Sequence, residues 1–190
     1  LIGAPSIGTL SITAVDSDDT DVYFLTVTDY LTPTTLMLGA VGRAPENLKQ
    51  LPNFFDASHH QITQSFVVSK DGARVPYFMV SAKNLVKEGK NPTLLYGYGG
   101  FEISLTPNYS ASVGRAWLSQ GGVFVVANIR GGGEYGPRWH QAALKENRLR
   151  AYEDFAAVAQ DLIAQKITTP KHLGIQGGSN GGLLVGNMLV

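Results

Sequence analysis

The stretch Gly177-Gly178-Ser179-Asn180-Gly181-Gly182 constrains this chain more than any other. It follows the short apolar run 173–176 and precedes another, 183–190, so the order reads as strand, abrupt glycine-rich turn, helix. Within it, Gly177 to Gly181 fits G-x-S-x-G, a pattern in which a serine sits on a strained strand-to-helix corner with its hydroxyl clear of the sheet. A backbone bent this sharply needs positive φ or close approach of neighbouring elements, and a residue without Cβ allows both. Ser179 is therefore the candidate nucleophile. The spacing alone fits equally a glycine turn that serves only packing; the strand before and the helix after favour the chemical reading. The backbone N–H of Asn180 would then face a developing oxyanion, with the helix N-terminus adding positive potential. A second donor would have to come from the loop after an earlier strand, and the tyrosine- and glycine-rich segment Tyr96 to Phe101 stands in the right order for it.

Composition narrows the alternatives. The chain has 190 residues, 44% of them hydrophobic, enough to bury a real core. Fifteen basic residues balance fifteen acidic ones, which gives no electrostatic reason to expect nucleic acid or an anionic membrane surface as a partner. There is no cysteine, so a disulfide framework, a thiolate metal site and a cysteine nucleophile are excluded. No apolar run reaches the roughly 18 to 20 residues that span a bilayer. No His, Asp or Glu cluster has metal-ligand spacing, and no cofactor is implied. The chain opens without methionine and stops in an apolar run, so both ends read as cuts through a longer protein.

Taken in order, the β-type runs 8–15, 22–28 and 34–38, separated by Asp-, Ser-, Gly- and Pro-rich turns, predict three or four consecutive antiparallel strands. A connector over 51–60 follows, and the domain division falls there, giving 1–56 and 57–190. Lys70-Asp71-Gly72 lies between two further β-type runs and predicts a hairpin. Runs 93–98 and 123–129 read as buried strands, 108–120 as helical, and 151–166 as the clearest helix, with Phe155, Val158, Ala159, Leu162 and Ile163 on one stripe. Strands alternating with helices make the second part an α/β domain with a mostly parallel sheet. Gly131, Gly133 and Gly136 satisfy G-x-G-x-x-G, but Pro137, Arg138 and Trp139 interrupt the helix that a dinucleotide site needs, and Glu153 opens a helix rather than ending a strand. Arg130 and Glu134 are expected to pair with each other or with nearby backbone. Phe54, Phe55, Trp117, Phe124 and Trp139 are scattered, as core or packing residues are.

Three motifs together resemble the prolyl oligopeptidase family of serine peptidases: 94–101 (Leu-Leu-Tyr-Gly-Tyr-Gly-Gly-Phe), 127–136 (Ala-Asn-Ile-Arg-Gly-Gly-Gly-Glu-Tyr-Gly) and 177–182. The resemblance extends from about Ser65 to the end and is loose over 1–51. It implies the first half of an α/β-hydrolase domain preceded by antiparallel strands from the end of a β-propeller that limits access to short peptides. It implies Ser179 as the acylated nucleophile, Asn180 N–H and the Tyr98 hydroxyl as the oxyanion hole, and Phe101 as the aromatic wall for a proline ring. Substrates would be short proline-containing peptides, in a cytoplasmic or, for exported bacterial members, periplasmic setting.

The departure from that family concerns the chemistry. In this fold the order is serine, acid, histidine, yet only eleven residues follow Ser179, and His59, His60, His140 and His172 all precede it. None is assigned as base, and this chain alone, lacking the remaining C-terminal part of the hydrolase domain, is expected to be nearly inactive because an unassisted serine is a weak nucleophile. The rival readings are another α/β-hydrolase, such as an oligopeptidase B, a dipeptidyl peptidase or an esterase, and a non-catalytic binding protein of the same fold.

Overall fold

The computed structural model describes residues 6–190, which divide into two compact units: one runs to Ser58 and includes Thr106–Arg115, the other comprises His59–Leu105 and Ala116–Val190. In the first, β1 (Thr9–Ala14), β2 (Val22–Thr28), β3 (Thr35–Ala40) and β4 (Glu46–Gln50) form an antiparallel meander in chain order. Its turns are built by side chains that replace backbone partners. Asp29 Oδ1 accepts the N–H groups of Leu31 and Thr32 at 2.6 and 2.7 Å between β2 and β3. Asp16 Oδ1 accepts from Asp18 at 2.9 Å between β1 and β2. Leu10, Ile12, Phe24 and Leu48 remain exposed on this sheet.

The segment Thr106–Arg115, placed in the second domain on sequence, groups with the first unit. Tyr109 explains the placement: its ring stacks on Phe55 with centroids 5.9 Å apart. Its hydroxyl accepts the Phe54 N–H at 2.9 Å, and its own N–H reaches Thr28 Oγ1 at 3.2 Å. The short helix α1 (Ala111–Ala116) follows, and Gly114 in it leaves room for the Phe55 ring. A long-range insertion of this kind carries no local periodicity.

The second unit holds a five-stranded sheet. β5 (His60–Val68) and β6 (Arg74–Ala82) form the expected hairpin, with Gly72 at φ 88°, and the order is β5-β6-β8-β7-β9, where β7 is Thr93–Gly97, β8 Val123–Ala127 and β9 Leu173–Gln176. Pairs β5–β6 and β6–β8 are antiparallel; β7 pairs parallel with both β8 and β9. Between β8 and β9 run α2 (Pro137–Gln141) and α3 (Leu149–Ala164), and α4 (Asn180–Met188) follows β9. Pro137 begins a one-turn helix rather than preventing one, since its missing N–H would have had no partner at the first helical position.

Helix α3 buries Ala151, Phe155, Val158 and Leu162 in one core with Val75, Tyr77, Leu95 and Val125. It ends at Ala164, just past the last residue of the apolar stripe and two short of the expected span 151–166. Lys166 takes φ 57°, its N–H bonds to Ile163 O at 2.9 Å, and the N–H of Ile167 returns to Leu162 O at 3.0 Å. This is a Schellman closure with lysine where glycine is usual, and the buried Ile167 beside Leu162 supplies its apolar contact.

A polar tie joins α3 to β6: Tyr77 Oη donates to Asp161 Oδ2 at 2.6 Å, and Gln165 Nε2 donates to both, at 2.9 and 2.7 Å. Burial, reinforced by the Asp161 carboxylate, pushes the Tyr77 hydroxyl up to about 12. A group whose folded pKa is raised contributes stability that is complete below its unfolded value near 10 and is lost as pH climbs from 10 through 12. Denaturant titrations across that range should show an alkaline loss on the order of 2 kcal/mol that is absent in Tyr77→Phe.

Candidate active site

Strands β7 and β9 are parallel neighbours with Tyr96 opposite Gln176, so the loops after them emerge side by side at one sheet edge. The turn after β9 is as sharp as the motif requires. Ser179 has φ 53° and ψ −117°, a left-handed φ on a side-chain-bearing residue. Such a conformation costs about 1–3 kcal/mol and persists only where the surroundings enforce it. Here they do: the backbone of Gly177 lies against that of Gly181, and Gly181 against the carbonyl of Gly97, so a Cβ at either glycine would strike main chain. Ser179 is exposed and its side chain caps nothing in α4, while its carbonyl accepts from Gly182 at 2.8 Å and Leu183 at 3.3 Å.

Asn180 ties the two loops together. Its Nδ2 donates to Tyr98 O at 2.6 Å, and its Oδ1 accepts from Arg148 Nη2 at 3.1 Å. Gly100 gives its amide room, because a Cβ there would overlap it. The structure thus places Ser179, Asn180 and Tyr98 on adjacent loops, with Tyr98 half-buried. Phe101 follows at φ 54° and is 73% exposed, so its ring lies open to solvent rather than in the core. Neither Arg148, in the mixed run 145–150, nor the side chain of Asn180 carries a signal of this role in the sequence.

The loop after β8 is organised by charge. Arg130 does not pair with Glu134. Its Nε and Nη2 grip Asp154 at 2.9 and 2.7 Å, its Nη1 and Nη2 grip Asp71 at 2.6 and 2.9 Å, and its N–H also reaches Asp154 at 3.0 Å. Two bidentate carboxylates on one guanidinium are a strong, directional arrangement. Hydrogen bonding to Arg130 outweighs burial and holds the Asp71 carboxyl below its usual value, while the two carboxylates push the Arg130 guanidinium up. Asp154 is fully buried and lies in the second turn of α3, not at a helix start where it would serve the dipole. Glu134 instead accepts from Leu105 N at 2.9 Å and Asn128 Nδ2 at 3.1 Å. A signal for Asp154 was present: it stands among the residues of the apolar stripe, between Ala151 and Val158, and a carboxylate there needs a buried cation.

The histidines have local partners. His140 Nδ1 lies 2.7 Å from Gly131 O, which places the proton on Nδ1; the nearby Glu102 N–H then bonds to Gly131 O at 3.2 Å. His172 Nδ1 pairs with Thr169 Oγ1 at 2.9 Å and His60 Nε2 with Leu118 O at 3.3 Å; both are half-buried, whereas His59 is exposed. Glu153, set aside above as part of a dinucleotide site, lies within α3 and binds Lys70 at 3.0 Å.

The known proteins that this chain is similar to are peptidases. Residues 109–190 match the prolyl oligopeptidase family. An uncharacterized peptidase, y4nA, of Sinorhizobium fredii is 50% identical over all of this chain, which covers 26% of that protein. A structure from an analysis of two prolyl endopeptidases superposes with TM-score 0.90 at 41% identity over 96% of this chain and 27% of its own. Prolyl oligopeptidase B of Galerina marginata, solved with a bound 35-residue hydrolysis and macrocyclization substrate, gives TM-score 0.85 at 34% identity over 96% of this chain and 26% of its own. Over residues 109–190 the chain matches the prolyl oligopeptidase family, and it spans about a quarter of the length of these relatives.

The charge network makes an asymmetric prediction. Arg130→Met strands the fully buried Asp154 and should cost about 3–5 kcal/mol. Asp71→Asn, at a carboxylate 35% exposed, should cost about 1 kcal/mol or less. Urea midpoints of the two variants against the parent check this, and equal losses would contradict the assignment of Asp154 as the partner that matters.

Proposed function

We propose that this chain is the nucleophile-bearing part of a serine peptidase that cleaves peptides after proline. In this reading the peptide carbonyl is attacked by Ser179 Oγ, and the tetrahedral oxyanion is received by Asn180 N–H and the Tyr98 hydroxyl. The intermediate collapses with cleavage of the C–N bond, the C-terminal fragment leaving as an amine that takes up the serine proton through the base, and water then hydrolyses the acyl ester to free Ser179. The acid and base come from the part of the relatives' length that this chain does not cover. The observation that carries the proposal is the geometry of the corner: Ser179 held at φ 53° directly beside the loop of Tyr98, with Asn180 bonded to Tyr98 O. A phenolic O–H suits an oxyanion because hydrogen bonds to charged oxygen are short and strong.

The five-stranded sheet is read as the first half of an α/β-hydrolase domain, supported by its order, by the antiparallel hairpin leading into parallel strands, and by the serine turn between β9 and α4. The four-stranded meander is read as the end of a β-propeller, with the division between them near 56–57; the exposed apolar side chains Leu10, Ile12, Phe24 and Leu48 fit a face that neighbouring strands would cover. Preference for proline over a basic residue is supported by Phe101, whose exposed ring offers a flat apolar surface and no charge to a substrate. Peptides bound to a family relative support peptide substrates here.

In the full-length protein, a fluorophosphonate probe should label the parent and not Ser179→Ala. Chromogenic peptides ending in proline should be hydrolysed and those ending in arginine ignored; cleavage after arginine alone would reject the specificity. Phe101→Ala should raise KM for proline substrates roughly 10-fold, the scale of losing one apolar pocket contact.

A further inference from the structure

Among the described residues, Arg148 is a basic side chain that touches both loops of the proposed site. It stands at the start of α3, where its Nη1 donates to Gly99 O at 2.5 Å and its Nη2 to Asn180 Oδ1 at 3.1 Å. Its stem is steadied by Tyr152, whose ring lies 5.3 Å from the guanidinium carbon and whose hydroxyl is 3.4 Å from Nε. Gly131, at φ 95°, comes up against the Gly99 carbonyl, and a Cβ there would also crowd Arg148 Nη1. One guanidinium therefore sits where the loops after β7, β8 and β9 converge.

We propose that Arg148 is a positioning residue for the oxyanion site, holding the Asn180 and Tyr98 donors in register. The inference rests on the serine-peptidase reading and extends it. Asn180 donates to Tyr98 O through one end of its amide and accepts from Arg148 through the other, so its orientation is fixed only when both partners are present. Arg148 in turn anchors the carbonyl of Gly99, the residue next to Tyr98. The planar fork matters, because two nitrogens at fixed spacing must reach two oxygens on different loops. Charge contributes as well. Among the described residues Arg148 makes no ion pair, unlike Arg130, so its positive charge is not cancelled by a carboxylate and favours negative charge developing beside Asn180. Arg148 reaches the reacting atoms only through Asn180 and Gly99.

The test uses the full-length protein with Arg148→Ala, Arg148→Lys, Asn180→Ala and the double variant Arg148→Ala/Asn180→Ala. Rates are followed on a chromogenic proline peptide and by fluorophosphonate labelling. Arg148→Ala should lower kcat roughly 10- to 100-fold, less than loss of an oxyanion donor itself, with KM nearly unchanged. Arg148→Lys should recover part of that loss, and the double variant should be no slower than the worse single variant, because the two side chains act as one unit. Unchanged kcat in Arg148→Ala, a loss confined to KM, or losses that multiply in the double variant would overturn the inference. If Arg148→Ala does not fold, Arg148→Lys and Arg148→Gln carry the same comparison. A parent protein that is neither labelled at Ser179 nor active overturns the underlying serine-peptidase reading as well, which separates the two failures.

Discussion

The arrangement depends on one close approach, that of the α4 backbone at Gly181 onto the carbonyl of Gly97 at the end of β7. Because β7 and β9 are adjacent and parallel, the chain leaving β9 must turn at once and descend over its neighbour strand. Hydrogen in place of a side chain at 97, 177 and 181 makes that possible: Gly97 receives Phe155 and Leu184, and the other two receive backbone. The strain is then concentrated on Ser179, which takes a left-handed φ between Gly177 and Gly181. The buried Phe155 and Leu184 come from α3 and α4, so the same contacts that build the core hold the corner.

Electrostatics divides the surrounding loops into two kinds. Arg130 is saturated by Asp71 and Asp154, and it fixes the loop after β8 to the β5–β6 turn and to α3. Its charge is spent within the fold. Arg148 faces only neutral oxygens, and the difference follows from position: Arg130 lies where two carboxylates converge, Arg148 where three backbone turns do. Stability is thus carried by the first guanidinium, and the geometry beside Ser179 by the second.

Much of this was legible from residue order. The Ser179 corner, the Asp71-Gly72 hairpin, the buried strands at 93–97 and 123–127 and the helix over α3 follow from local rules: glycine at forced turns, apolar runs at covered strands, a three- and four-residue stripe on a helix. What escaped was non-local. Tyr109 draws Thr106–Arg115 to the first unit through contacts with Phe55 and Thr28, tens of residues away in sequence. Arg130 was misread because its partners lie 59 and 24 residues distant, although Asp154 on an apolar stripe was a clue. Arg148 had no clue at all, since an arginine in a charged run looks solvated until the loops it joins are seen together.

In the proposed function the corner after β9 presents Ser179 to an oxyanion site made by Asn180 N–H and the Tyr98 hydroxyl. A crystal structure of the full-length protein treated with a peptide aldehyde ending in prolinal puts that geometry to the test. It should show a hemiacetal on Ser179 Oγ whose oxygen accepts from Asn180 N–H and Tyr98 Oη at about 2.7–3.1 Å, with the pyrrolidine ring against Phe101. A hemiacetal oxygen turned away from both donors, or an adduct on another side chain, would contradict it.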